Sequence, residues 1–141
     1  MDLDIRFGLQ VGQVSRKWRT CLNARLKHTG LSEARWIALL RLSLLGPIAQ
    51  GDLADQIGIR GPTLVRLLDA LERQGLIERK SGAGDRRVKR IHLTRKAQPV
   101  LRRITTISDR LRAELMAGIR PGDLETAYRV LRTIGDRLEA K

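Results

Sequence analysis

The chain has 141 residues, with 28 basic side chains against 15 acidic ones and a formal net charge of +13. This length is that of one domain, or of a DNA-binding lobe with a dimerisation lobe built from the two chain ends. The charge favours a polyanionic partner, because each phosphate that a protein neutralises releases condensed counterions. A solvated basic surface and attraction to an anionic membrane are the alternatives to nucleic acid.

Export and membrane insertion are not expected. Cys21 is the one cysteine of the chain, so no internal disulfide can form and a reducing compartment fits. The N-terminus carries Asp2 and Asp4 without a long apolar stretch, so we expect no signal peptide. The best apolar run, residues 36–45, is interrupted by polar side chains and is too short to span a bilayer. We therefore expect a soluble, cytoplasmic protein without a membrane partner.

The first third of the chain predicts two amphipathic helices. Between Ile5 and Lys27, apolar residues recur at helical spacing, and Gly30 ends the segment. Ser32 can cap a second helix, which stops at Gly46-Pro47. The predicted apolar faces consist of Val11, Val14, Trp18 and Cys21 in the first helix, and of Trp36, Ile37, Leu40 and Leu44 in the second.

Two short helices around a glycine follow. The first lies around residues 52–57, Gly58 supplies the turn, and Pro62 suits the first position of the next helix, which closes at Gly75. This order matches the helix-turn-helix, whose second helix lies in the major groove of DNA. The residues predicted to read the bases are Arg60, Gly61, Pro62, Thr63 and Arg66.

A basic hairpin comes next. Residues 76–80 and 88–93 read as strands, joined by residues 81–87 with two glycines in the bend. Residues 78–96 hold eight basic and two acidic side chains, a net charge of +6. An arginine at such a tip can enter a narrow minor groove, and Asp85 can fix one guanidinium while its neighbour points outward. The wing residues predicted to bind DNA are Arg86, Arg87, Lys89 and Arg90; a merely solvated charge run is the alternative.

The C-terminal third predicts two further amphipathic helices. Thr94 can cap the first, and Pro121 opens the second, whose apolar residues repeat at spacings of three and four. A second copy of the chain is the simplest cover for these narrow stripes, with an intramolecular bundle as the alternative. We predict a mainly α fold with a small β-hairpin wing, in which residues 5–30 and 95–141 form a helical dimerisation region and residues 31–94 a winged helix-turn-helix DNA-binding domain.

The segments LVRLLDALERQGLIER and DRRVKRIHLT resemble the MarR family of winged-helix regulators. WRTCLNARLKHTGL and ARWIALL are similar to its SlyA branch, and the resemblance covers most of residues 11–100. It implies a homodimer on a pseudo-palindromic operator, usually acting as a repressor or as an antagonist of silencing proteins. It also implies that the helix with Pro62, Thr63 and Arg66 enters the major groove. Arg86 would reach the minor groove, and Asp85 with Arg87 would stabilise the wing.

Many members of that family release DNA when a small phenolic or aromatic carboxylate binds between the dimer helices and the DNA-binding lobe, in a crevice that draws on the first two helices. Two tryptophans and two arginines there suit such an anion, through flat apolar contact and carboxylate pairing. The candidate effector residues are Arg16, Trp18, Arg19 and Trp36; core tryptophans and solvated arginines are the alternative. Cys21 lies on the apolar seam, which favours a buried inert thiol over a peroxide sensor.

An enzymatic role is not expected. His28 and His92 have no cysteine or carboxylate cluster at metal-ligand spacing, and residues 81–84 form a turn rather than a phosphate-binding loop. We therefore predict no catalytic residue, no metal and no cofactor. Two functions compete with a sequence-specific regulator on double-stranded DNA: a non-specific architectural DNA-binding protein, and a protein-interaction module with a winged-helix fold.

Overall fold

The computed structural model describes residues 1–82 and 84–141, apart from the side chains of Asp85 and Arg86. The chain divides into two compact units, residues 1–109 and residues 110–141. The described part is mostly helical with a small antiparallel sheet, so the predicted fold class is confirmed. None of its helices is long and apolar enough to cross a membrane.

The described part of the chain forms six α-helices, one short 3₁₀ helix and three strands. The helices are α1 (Leu3–Arg25), a short 3₁₀ helix (Lys27–Thr29), α2 (Glu33–Leu45), α3 (Gln50–Ile57), α4 (Gly61–Arg73), α5 (Ala97–Met116) and α6 (Pro121–Glu139). The strands are β1 (Ile48–Ala49), β2 (Ile77–Gly82) and β3 (Asp85–Leu93).

The helix ends follow from local chemistry. The Ser32 hydroxyl accepts a hydrogen bond from the backbone N–H of Arg35 at 3.4 Å, which caps α2 as predicted. Gly58 adopts a left-handed conformation with φ +69°, and its N–H closes α3 on the carbonyl of Ala54. This turn redirects the chain so that α4 can begin three residues later.

The three strands pair in the order β1-β3-β2, antiparallel throughout. Strand β1 pairs Ile48 with Ile91 and was not expected, because two residues carry no periodicity. Strand β3 begins at Asp85 rather than at the predicted residue 88, and its pairing with β2 is irregular between Ser81 and Gly82. The charged side chains of β2 and β3 do not prevent the strands from pairing, because they remain solvated on the exposed faces of the hairpin.

The core of the first unit lies between the helices and the sheet. The predicted apolar face of α4 is confirmed, with Leu64, Leu67, Leu68 and Leu71 all buried. The face predicted for α2 is partly wrong: Trp36 is buried, but Leu44 is 68% exposed, and Leu39 and Leu42 are buried instead. Helix α2 packs against α3, α4 and β3, so it buries side chains on more than one of its faces.

The terminal helices leave apolar side chains in solvent. In α1, Leu9, Val11 and Val14 are exposed. In the second unit, α6 exposes Leu124, Leu131, Ile134 and Leu138 to between 37% and 68%. Exposed apolar residues repeated along one helix at this spacing are typical of a surface that another molecule covers.

Candidate nucleic-acid interface

The outer side of α4 presents the residues predicted to read bases. The buried leucines fix one face of the helix, so Pro62, Thr63 and Arg66 lie exposed on the other side. The helix begins with Gly61 at φ +61°, a backbone conformation that a residue with a Cβ adopts only under strain. Pro62 has no backbone N–H, so the donors at this end of the helix are those of Gly61 and Thr63, both on exposed residues.

A cleft of about 560 Å³ lies between α3, the start of α4 and strand β3. Its walls include Arg60 and Gly61 from the helix side, and Arg87 and Lys89 from the wing. Four predicted DNA-binding residues therefore meet around one depression, although 26 or more positions separate the two pairs in sequence. Three cations around an open cleft favour an anionic occupant such as a phosphate backbone.

Arg60 has a partner within the protein. Its Nη2 donates to Oδ1 of Asp55 at 2.8 Å, across the Gly58 turn. Both side chains are largely exposed, 78% for Arg60 and 66% for Asp55. Water screens such a pair, so it orients the guanidinium without contributing much to folding stability.

A second arginine joins β2 to α4. Arg79 of β2 donates through Nη2 to Oδ1 of Asp69 at 2.6 Å and to Oε1 of Glu72 at 3.1 Å, both on α4. Its Nε and backbone N–H also donate to Oε2 of Glu72, at 3.3 and 3.2 Å. The Arg79 side chain is only 22% exposed. Charge-assisted bonds from one fork to two carboxylates hold strand and helix in one geometry.

These bonds shift the protonation equilibria of the group. The side-chain hydrogen bond from Arg79 lowers the pKa of Glu72, more than partial burial raises it. The side-chain bonds to Glu72 and then to Asp69 raise the pKa of Arg79. Glu72 and Arg79 are therefore both charged at neutral pH.

The remaining wing residues differ in their surroundings. Nη2 of Arg90 donates to the carbonyl of Pro47 at 2.7 Å, which ties β3 to the segment before β1. Nζ of Lys89 is 3.3 Å from the hydroxyl of Ser81 and the side chain remains exposed. The side chains of Asp85 and Arg86 lie outside the described residues, so their predicted roles stay predictions.

The candidate effector residues are placed as follows. Trp36 is buried, and its Nε1 donates to Oδ1 of Asn23 at 3.0 Å. Trp18 is half-buried, Arg16 is exposed, and Nε of Arg19 lies 3.4 Å from Oε1 of Glu33. Trp36 thus has a core position with a satisfied indole N–H, whereas Trp18 is partly exposed.

The candidate redox residue Cys21 can be placed as well. The Cys21 thiol is free and half-buried. The described residues hold no group of three or more histidine, cysteine or carboxylate side chains that could bind a metal ion.

Sequence reasoning did not find Asp55 and Arg79. Asp55 stands five residues before Arg60, and Arg79 ten residues after Asp69, so neither pair has a helical spacing. The only signal was an acidic residue on each helix that flanks the turn. The tertiary packing of the elements decides which basic side chain each of these acidic residues contacts.

A turn between α3 and α4 with a three-stranded sheet behind it defines a winged helix-turn-helix protein. A model described as the MarR family matches residues 31–89. The solved structure of the transcriptional regulator PA3341 is 43% identical, with a TM-score of 0.90, and the match covers 96% of this chain and 99% of that one. This chain belongs to the MarR family of transcriptional regulators.

Two further solved structures are similar. A MarR family transcriptional regulator from Silicibacter pomeroyi DSS is 27% identical, with a TM-score of 0.88 and coverage of 99% of this chain and 93% of that one. The transcriptional regulator BldR from Sulfolobus solfataricus is 23% identical, with a TM-score of 0.82 and coverage of 97% and 99%, which is a likeness of fold.

Proposed function

We propose that the protein is a sequence-specific DNA-binding transcription regulator that acts as a homodimer on a pseudo-palindromic operator. The observation that carries this proposal is the cleft where Arg60 and Gly61, at the start of α4, meet Arg87 and Lys89 of the wing. We call α4 with its N-cap residue the reading helix. A helix N-terminus and a basic hairpin side by side fit a duplex with one element in each groove. Membership of a family of transcriptional regulators supports the same function.

The two elements have separate tasks in this mechanism. Residues 60–66 face the base edges in the major groove, where hydrogen-bond patterns distinguish all four base pairs. Residues 86–90 supply contacts to the phosphates and to the minor groove, which add affinity with little dependence on sequence. Asp85 keeps in this proposal the role that the family resemblance implies, stabilisation of the wing.

Dimerisation sets the distance between the two reading helices. The residue ranges 5–30 and 95–141 form the dimerisation region in this proposal, and residues 31–94 the DNA-binding domain. Exposed apolar residues on α1 and α6 support a second copy as the cover. Two lobes must then meet successive major grooves, about 34–36 Å apart.

Control of the site is assigned to an aromatic carboxylate that binds near Arg16, Trp18, Arg19 and Trp36. The half-buried Trp18 supports this assignment better than the buried Trp36 does. Salicylate should quench tryptophan fluorescence saturably and weaken operator binding over the same concentration range. Unchanged fluorescence and unchanged affinity would remove the effector from the proposal.

We also propose that the chain belongs to the SlyA-like branch, because of its segments WRTCLNARLKHTGL and ARWIALL, and that it acts as a repressor.

Selection from a pool of random duplexes tests the proposal. The full-length chain should enrich a motif with two inverted half-sites whose centres are one helical turn apart. Hydroxyl-radical footprinting of the enriched duplex should then show protection on two successive turns and in the flanking minor grooves. A pool without an enriched motif would instead support the architectural alternative, in which charge alone drives binding.

A further inference from the structure

We propose that Asp55 is a specificity-determining residue that positions the Arg60 guanidinium for contact with a base. The proposal rests on the function proposed above, since it concerns how the reading helix discriminates sequences. It assigns to an acidic side chain at a DNA interface a task other than repulsion of phosphate.

The geometry places Arg60 at the entrance to the reading helix. It is the N-cap residue of α4, in an extended conformation with φ −134° and ψ 169°, so its side chain leaves the helix at its first turn. The N-terminal residues of a recognition helix are those that meet the base edges. A long, flexible arginine at that point needs a fixed direction before it can select a base.

Asp55 supplies that direction from the neighbouring helix. Its Oδ1 accepts from Nη2 of Arg60 at 2.8 Å, from a position on α3 beyond the Gly58 turn. This bond uses one of five guanidinium N–H donors, and the others remain for a bidentate contact with O6 and N7 of a guanine. An arginine whose fork is held in advance loses less conformational entropy when it binds the base.

Folding stability does not explain the pair. Arg60 is 78% exposed and Asp55 66% exposed, so water weakens the ion pair in the free chain, and bound DNA that excludes this water would strengthen it. Arg60 also lines the cleft with Arg87 and Lys89, where a guanidinium without an internal partner would be drawn to phosphate. The Asp55 carboxylate holds the guanidinium through one N–H and offsets part of that attraction.

The test uses full-length variants Asp55→Asn and Arg60→Gln, the double variant, and Asp52→Asn as the matched control. Asp52 is an exposed acid on the same short helix, so its removal changes the net charge equally. Affinities for the selected duplex and for a scrambled duplex of equal length are measured at one fixed salt concentration. Thermal unfolding of each variant is recorded alongside.

We expect Asp52→Asn to strengthen binding to both duplexes equally and to leave their affinity ratio unchanged. Asp55→Asn should lower that ratio about tenfold, the range that one bidentate base contact supplies. Repeated selection with Asp55→Asn should relax the motif at the same base pair as Arg60→Gln does. In the double variant, the ratio should fall no further than in Arg60→Gln alone.

The outcomes separate this inference from the proposed function. A wild-type chain that enriches no motif overturns the proposed function and this inference with it. If the wild type enriches a motif, and Asp55→Asn has the same ratio of affinities for the selected and scrambled duplexes as Asp52→Asn, only the role of Asp55 is overturned. The role of Asp55 is also overturned if the double variant has a lower affinity ratio than Arg60→Gln alone, because Asp55 would then act on another group.

Discussion

Arg79 extends from β2 to two carboxylates of α4 and makes four hydrogen bonds there. We expect Arg79→Met to lower the free energy of unfolding by about 1–2 kcal/mol, because a partly buried charged donor to two acids is lost. Urea unfolding at neutral pH measures this change. Lys80→Met on the same strand is the control, since its pair with Glu78 is more than half exposed on both sides.

Lys80→Met should change the free energy of unfolding by no more than about 0.5 kcal/mol. Equal losses in the two variants would mean that Arg79 acts as a surface charge and not as a link between wing and helix.

The Glu72 carboxylate makes the same link dependent on pH. Because Arg79 lowers the pKa of Glu72 in the folded chain, ionised Glu72 stabilises the fold above the ordinary carboxyl pKa of about 4.3. That contribution is lost as pH falls through the lowered folded-state pKa. Urea unfolding between pH 7 and pH 3 should show wild type more stable than Glu72→Gln at neutral pH, with the difference vanishing in acid. A difference that does not change with pH would contradict the assignment.

Gly61 carries a backbone requirement at the start of the reading helix. Its φ of +61° disfavours any residue with a Cβ, although no atom would obstruct that Cβ within 4 Å. Gly61→Ala should therefore lower the free energy of unfolding by about 1–2 kcal/mol through backbone strain alone. Gly51→Ala, on α3 with equally open space, should be neutral or slightly stabilising. The same loss at both positions would point to something other than the left-handed conformation.

At the scale of elements, patterns of apolar residues predicted α4 well and α2 poorly. Helix α4 buries one face, so spacing alone identified its four leucines. Helix α2 has neighbours on more than one side, and the exposure of Leu44 follows from packing that no local pattern records. Strand β1 escaped prediction for the same reason, since Ile48 becomes a strand residue only by pairing with Ile91.

For the candidate site too, local sequence predicted some features and tertiary packing decided the others. Arg60, Gly61, Arg87 and Lys89 were predicted from residue type and position, and the cleft gathers them. Their partners were not predicted, because an exposed acid such as Asp55 gains a meaning only once the turn brings it to Arg60. Charge and periodicity thus identify candidate DNA-binding residues, while tertiary contacts decide how each one is held.

The two DNA-binding elements should respond differently to mutation. Arg66→Ala in α4 should weaken binding to the selected duplex by about 1–3 kcal/mol and relax one position of the motif. Lys89→Ala in the wing should weaken binding to every duplex alike and reduce the salt slope by about one. Titrations at several salt concentrations distinguish the two patterns. A change in motif from Lys89→Ala, or none from Arg66→Ala, would contradict this division.

At the scale of the whole molecule, the exposed seam of α6 predicts association. Leu131 is 44% exposed and lies in a repeat with Leu124 and Leu138. Leu131→Glu should convert a dimer into a monomer in analytical ultracentrifugation and weaken operator binding, since both half-sites are then no longer held together. Thr133→Glu, two residues on and on another face of α6, is the control. A monomeric wild type, or a dimer that survives Leu131→Glu, would contradict the α6 interface.

The central claim is that this chain reads sequence rather than charge alone. Competition between the selected duplex and bulk genomic DNA, at physiological salt, tests that claim most directly. A sequence-specific regulator should prefer the selected duplex by a factor of about 10³ or more. Equal affinity for both would contradict the account and leave the net charge of +13 as the basis of binding.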